Sequence, residues 1–198
     1  MQTLARPGST AEETRARILC AAKEIYQQNG TRGTTTREVA ERAGVNEATV
    51  FRHFGNKQAL LIAMREQSCG LAQFKTVMAS LTGDLRNDLR AIGLAMAERM
   101  FEQRAMMCVS LAEDARAEGE AHLGSPEWRG PREVLSRLEE FFVVHVAGGS
   151  LRGEPVRLAT YFMGMLFSYV VARKLWASDV VKHEDVEFLV DIFLNGAR

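Results

Sequence analysis

The side chains best suited to binding chemistry are concentrated in Thr34–Met64, TTTREVAERAGVNEATVFRHFGNKQALLIAM. Hydroxyl groups, basic groups and aromatic rings follow one another closely there. Hydroxyl, arginine and lysine groups donate hydrogen bonds to phosphate oxygens, and arginine also pairs with the edges of bases. The mixture indicates a nucleic-acid-binding surface.

Two short helices and a tight turn are predicted to hold these side chains. Thr35 and Glu38 form a capping-box pattern at the start of the first helix. Gly44 stands where that helix must stop and the chain reverse, since glycine tolerates a positive φ. Asn46 is a favourable cap for a second helix, Glu47–Phe54, and Asn56 is predicted to cap a third helix that opens at Lys57. This order is the layout of a helix-turn-helix that enters DNA.

The pattern T-x-R-x-V-A-x-x-A-G-V-N-x-x-T-V-F-R-H-F-x-N-K-x-x-L-L resembles the DNA-binding domain of the tetracycline-repressor (TetR) family of one-component regulators. The resemblance covers about Ala11–Met64. It implies an all-α fold with an N-terminal three-helix helix-turn-helix domain, residues 1–56. A C-terminal helical domain for ligand binding and dimerisation would occupy residues 57–198.

The resemblance also implies which residues contact DNA. The candidates for phosphate contacts are Thr36, Thr49, His53 and Lys57. Those for base edges are Arg37, Glu47, Ala48 and Arg52. Two alternatives stay open: His53 is a solvated histidine beside Phe54, and Glu47 serves only the dipole of its helix.

Phe51 departs from the family pattern, which usually has a tyrosine whose hydroxyl reaches a phosphate. Phenylalanine keeps the ring in the predicted DNA-binding set but loses that hydrogen bond. Because one hydrogen bond contributes only about 0.5–1.5 kcal/mol net, the loss weakens binding without abolishing it.

Charge is divided unevenly along a chain whose formal net charge is zero. Residues 1–65 hold ten Lys/Arg and six Asp/Glu, whereas the rest holds fifteen and nineteen. A basic segment beside an acidic one favours approach to DNA by one face.

Three scattered cysteines fit reduced thiols, and the N-terminus lacks the apolar core of a signal peptide, so we expect a cytoplasmic protein with no membrane partner.

Apolar residues recur at helical spacing through the rest of the chain, and no strand pattern is found. Ser9 or Thr10 caps a first helix that Gly30 closes, and its predicted inward stripe is Ile18, Leu19, Ala22, Ile25 and Tyr26. A long connecting helix is expected at Lys57–Ser80. Further helices are predicted at Asp84–Phe101, Gln103–Glu118, Pro131–Ala147, Glu154–Trp176 and His183–Asn195.

The last two predicted helices, Glu154–Trp176 and His183–Asn195, are apolar nearly all round. A surface helix has one apolar face, so a second one needs a partner. They are either buried core helices or, as the resemblance favours, half of a four-helix homodimer interface. We expect the homodimer.

Soft side chains in the middle helices are candidates for an effector pocket, which the resemblance implies. They are Met96, Met100, Met107, Phe141, His145 and Phe162. Ordinary core packing explains most such methionines equally well. The implied function is transcriptional regulation, most simply repression of a palindromic operator that a small, largely apolar effector relieves.

Other functional classes are less well supported. Redox control through Cys69 or Cys108 stays an alternative, as does a DNA-binding protein without an effector. No nucleophile elbow, phosphate-binding glycine loop or metal-ligand spacing occurs, so a helical enzyme is disfavoured and neither cofactor nor metal is expected.

Overall fold

The computed structural model describes residues 10–115, 129–175 and 181–197. Every regular element in these ranges is an α-helix, which confirms the all-α prediction. The predicted ends at Glu118 and Trp176, and the candidate cap Ser9, lie outside the described residues. The helices are α1 (Ala11–Gly33), α2 (Thr36–Ala43), α3 (Glu47–Phe54), α4 (Lys57–Ser68), α5 (Leu71–Ala79), α6 (Leu85–Glu102), α7 (Arg104–Asp114), α8 (Gly130–Ala147), α9 (Pro155–Leu175) and α10 (His183–Ala197).

The described residues form two compact units. The first contains residues 10–67 and 108–115, and the second contains residues 68–107, 129–175 and 181–197. By packing, nearly all of α4 therefore belongs with α1, α2 and α3, although we predicted the domain boundary between residues 56 and 57. The functional division at that boundary stays a prediction.

The first unit is built on the inward face of α1. Ile18, Leu19, Ala22 and Ile25 are buried there, and α2 packs against α1 and α3. Thr10 caps α1 in a complete capping box with Glu13. This small apolar core fixes the orientation of the two short helices, which are too short to be stable alone.

The predicted connecting helix Lys57–Ser80 is wrong, because the chain breaks it after Ser68. Gly70 adopts φ 74° at the start of α5, a left-handed conformation that interrupts an α-helix. A Cβ on Gly70 would lie 2.6 Å from Cγ of Arg99, so the position also needs the small residue for packing. The sequence pattern stayed helical across the break and gave no sign of it.

The core of the second unit consists of α5, α6, α8, α9 and α10. The rings of Phe142, Phe162 and Phe193 meet in its centre with centroids 5.1–6.2 Å apart. Gly93 of α6 lets α10 approach, since an added Cβ would lie 3.0 Å from Cγ1 of Val186. These contacts make the unit a closely packed helical body.

One described helix segment, Pro155–Ala172 in α9, is long and apolar enough to cross a membrane by length and composition, with a mean hydropathy of 1.3. Core helices of soluble proteins meet the same criterion. Only 28% of this segment is buried within the chain, and its exposed residues include Val156 and Tyr161.

A buried carboxylate fixes the turn between α5 and α6. Asp88 is 3% exposed, and its oxygens accept hydrogen bonds from the backbone N–H and hydroxyl of Thr82 and from the N–H of Gly83 at 2.8–2.9 Å. Burial alone would raise the pKa of Asp88. The hydrogen bonds and the nearby His145 outweigh burial and lower the pKa below its usual value.

We expect Asp88→Asn to lower the free energy of unfolding by about 1–3 kcal/mol, because an amide cannot accept all three bonds. A lowered folded-state pKa stabilises the fold above the unfolded pKa, and this stabilisation is lost as pH falls through the folded pKa. Urea unfolding of both proteins between neutral and acidic pH measures the difference, which should shrink on acidification. A difference that is independent of pH would contradict the assignment.

Candidate nucleic-acid interface

The turn between α2 and α3 has the predicted geometry. Thr35 accepts a hydrogen bond from the N–H of Glu38, although the return bond of the capping box is not formed. Gly44 is left-handed (φ 67°, ψ 39°), and Asn46 caps α3 through the N–H of Thr49. Local sequence therefore determines the angle at which α3 leaves α2.

The predicted DNA-contacting residues all lie in the first unit, on α2, α3 and the start of α4. Four are exposed: Arg37, Ala48, Phe51 and Arg52. Five are half-buried: Thr36, Glu47, Thr49, His53 and Lys57. On α3, the spacing of Glu47, Ala48, Phe51 and Arg52 places them on one face of the helix.

Two hydroxyl groups of this set already donate hydrogen bonds within the protein. Thr36 Oγ1 donates to Oε1 of Glu47 at 2.5 Å, and Thr49 Oγ1 donates to Oδ1 of Asn46 at 2.7 Å. The first bond ties the first residue of α2 to the first residue of α3. The predicted phosphate roles of both threonines therefore compete with internal bonds.

The start of α4 offers a group for anions. Lys57 is its first residue, and Asn56 caps the helix by accepting from the N–H of Ala59 at 2.8 Å. A lysine at a helix N-terminus adds its charge to the free backbone N–H groups.

His53 lies beside Phe54, with the two ring centroids 6.2 Å apart. The alternative interpretation of His53, a solvated histidine next to Phe54, therefore stays open.

A buried polar network holds α4 against α1 and α7. Arg65 is 6% exposed, and its Nη2 lies 3.1 Å from the hydroxyl oxygen of Tyr26 and 4.0 Å from Oε2 of Glu113. Its guanidinium also lies over the Tyr26 ring, 5.2 Å from the centroid. Tyr26 in turn donates to Oε2 of Glu113 at 2.9 Å and lies 2.9 Å from Oγ of Ser110. One hydroxyl thus joins three helices.

The glycine at the end of α1 makes room for this network. Gly30 has φ 67°, and a Cβ there would lie 2.6 Å from Oε1 of Glu113. The following residue, Thr31, donates to Glu113 from both its N–H and its hydroxyl, at 2.5 and 2.8 Å. Gly30 was predicted as the end of the helix, but α1 continues to Gly33 and Gly30 is a non-helical residue within it. Its close approach to a carboxylate explains why a residue without a side chain stands there.

Sequence reasoning missed these positioning residues. It placed Tyr26 in the apolar stripe of α1, where the residue is indeed fully buried. The signal was available, since a buried tyrosine hydroxyl usually has a hydrogen-bond partner. Burial raises the pKa of Tyr26, while the bond with Ser110 and the charge of Arg65 act in the opposite direction.

The predicted effector-binding residues lie in or near the core of the second unit. Met96, Phe141 and Phe162 are buried members of its apolar cluster, and Met100 packs against it. His145 is half-buried with its ring centroid 4.5 Å from that of Phe141, and Met107 is half-buried on α7. The structure thus brings most of the set together as packed core.

Other candidate chemistry is sparse in the part of the chain that is described. No group of three or more His, Cys, Asp or Glu side chains there is arranged to hold a metal ion. Cys69 and Cys108 are half-buried thiols, and Cys20 is exposed.

Comparison with known proteins identifies a matching family model and a relative that covers most of the chain. Residues 18–64 match the family model of bacterial regulatory proteins of the tetR family. The HTH-type transcriptional regulator YvkB of Bacillus subtilis, itself uncharacterized, is 30% identical over 187 residues, covering 92% of this chain and 96% of YvkB.

Solved structures show the same fold at low sequence identity. The fatty acid degradation regulator FadR of Bacillus halodurans superposes with a TM-score of 0.74 at 17% identity, over 96% of this chain and 97% of FadR. The flavonoid-responsive regulator FrrA superposes with a TM-score of 0.67 at 20% identity, over 94% of this chain and 98% of FrrA.

We expect Tyr26→Phe to lower the free energy of unfolding by about 1–3 kcal/mol, because Arg65, Ser110 and Glu113 lose a shared buried partner. Chemical denaturation measures the change. Thr76→Val is the control, since it removes an exposed hydroxyl that bonds only to the carbonyl of Ala72 within α5. Equal effects of the two substitutions would show that the network contributes nothing.

Proposed function

The chain belongs to the TetR family of bacterial regulatory proteins and is a DNA-binding transcriptional regulator, and on this premise we propose that it acts as a homodimeric, effector-responsive repressor. Its relatives are transcriptional regulators rather than enzymes. We place its activity in the cytoplasm, where its operator DNA is found.

The observation that carries this proposal is the exposed face of α3. Ala48, Phe51 and Arg52 point away from the core of the first unit, with Glu47 beside them at the start of the helix. Arg52 of α3 and Arg37 of α2 supply donors for guanine, Ala48 suits a thymine methyl, and Glu47 suits an amino group. His53, Thr49 and Lys57 are proposed to bind the flanking phosphates.

Exposed apolar side chains on α9 and α10 support the homodimer. On α10, Phe188 is 65% exposed and Ile192 is 47% exposed, one helical turn apart. On α9, Val156, Tyr161 and Gly164 are all exposed, and the space around Gly164 is open. Leaving such side chains in water is unfavourable, so a second copy is their proposed cover.

We place the effector site in the second unit, among the six predicted side chains. Methionines and phenylalanines repack readily around an apolar ligand, and His145 offers a polar anchor. FrrA, which shares the fold, is by its name flavonoid-responsive. Binding would have to loosen the packing around Met96, Phe141 and Phe162, and so would favour one conformation of the body over another.

The proposed response passes through α4, because that helix carries Lys57 at its first residue and Arg65 in the buried network. A shift of α4 would move the DNA-binding helices away from the spacing of two successive major grooves, about 34–36 Å. An effector needs only a different affinity for the two conformations to act this way. An effector that binds tightly but leaves operator affinity unchanged would contradict this mechanism.

We expect Lys57→Ala to weaken binding to operator and to random DNA alike, because a phosphate contact carries no sequence information. The slope of log affinity against log salt should fall by about one per subunit. Fluorescence anisotropy at several salt concentrations measures both quantities. Lys75→Ala on α5 is the control, since both Lys75 and its ion-pair partner Glu133 lie in the second unit. An unchanged salt slope for Lys57→Ala would contradict the assignment.

We expect Phe188→Glu to convert the dimer into a monomer, because two carboxylates would meet at a symmetric apolar interface. Sedimentation velocity measures the mass, and operator affinity should fall with dimerisation. Val144→Glu on α8 introduces the same charge at a side chain that is 68% exposed and lies outside the predicted dimer helices. A dimer that survives Phe188→Glu but not Val144→Glu would place the interface elsewhere.

A further inference from the structure

The bond between Thr36 and Glu47 bears on how the interface selects DNA sequence. At 2.5 Å it is a short bond from a hydroxyl to a carboxylate, and it is partly shielded from water. Hydrogen bonds to ionised acceptors are stronger than those between neutral groups. By contrast, Thr49 shares Oδ1 of Asn46 with its own N–H, so its hydroxyl can leave without uncapping α3.

A threonine hydroxyl has a single proton to donate. Phosphate oxygens only accept, so Thr36 cannot hold Glu47 and donate to a phosphate at the same time. The bond to the carboxylate is already formed in the folded protein, so a phosphate contact by Thr36 would have to break it. The phosphate role that the family pattern implies for Thr36 therefore does not suit this chain.

Glu47 has a second oxygen for another partner. Its Oε1 accepts from Thr36, whereas its Oε2 makes no hydrogen bond among the described residues. Glu47 also begins the exposed face of α3, one turn before Phe51. A carboxylate can only accept, and in the major groove the available donors are the amino groups of cytosine and adenine.

We infer that Thr36 is a positioning residue that holds Glu47 as a specificity-determining contact to an exocyclic base amino group, cytosine N4 being the better fit. This inference rests on the proposed operator binding. The threonine fixes one carboxylate oxygen and so directs the other at the base. The same negative charge disfavours base pairs that present only acceptors at that place.

The test is a comparison of base preferences, with full-length protein variants selected against a library of randomised double-stranded DNA. Wild type should prefer one base pair in each half-site that Glu47→Ala tolerates freely, a loss of about 5–100-fold in discrimination at that pair. Thr36→Val should reduce discrimination at the same pair only, by about 2–10-fold. Thr36→Ser keeps the hydroxyl and should restore the wild-type preference.

Two outcomes would overturn the inference. Thr36→Val could weaken every sequence equally with all preferences intact, as expected for a phosphate contact. Glu47→Ala could leave all preferences unchanged, as expected if Glu47 serves only the helix dipole. Circular dichroism shows the temperature below which each variant is folded, and the selection is run below it. If Thr36→Val does not fold, Thr36→Ala takes its place. Failure of wild type to select any sequence would instead contradict the proposed function itself.

Discussion

The structure of the first unit depends on burying the charged guanidinium group of Arg65, which requires hydrogen-bond and charge partners inside the protein. A buried guanidinium is unfavourable unless its hydrogen bonds and charge are compensated. Tyr26 and Glu113 provide partners for its Nη2, whereas its Nε is buried without a hydrogen-bond partner among the described residues. Glu113 can approach because Gly30, near the end of α1, has no side chain. The position of α4 relative to α1 is therefore set by a polar network rather than by apolar contacts alone.

This constraint has a functional consequence, because α4 begins at Lys57 beside the end of α3. The buried network that holds α4 therefore also positions the proposed phosphate contact at Lys57 and the C-terminal end of α3. The other end of α3 is fixed by Asn46 and by the bond from Thr36 to Glu47. The exposed face between these two ends carries the groups proposed to contact bases. The position of that face is therefore set by interactions at the two ends of α3.

The amino-acid sequence predicted the local features well. Caps at Asn46 and Asn56, the left-handed Gly44 and the apolar stripe of α1 depend on neighbouring residues, and all were confirmed. Features that depend on distant residues were not found in advance. Gly70, at the helix break, packs against Arg99. The role of Tyr26 depends on its hydrogen bonds with Ser110 and Glu113, more than eighty residues away in the chain. Periodicity carries no information about such partners, nor about which core side chains of the second unit would yield to an effector.

The central claim is that this chain recognises a specific DNA site as a dimer, and selection of binding fragments from a genomic pool tests it most directly. The account predicts a roughly palindromic site that two chains occupy, bound at least about a thousandfold more tightly than random DNA, with affinity that falls steeply as salt rises. Uniformly weak binding to all fragments, without a common motif, would contradict it.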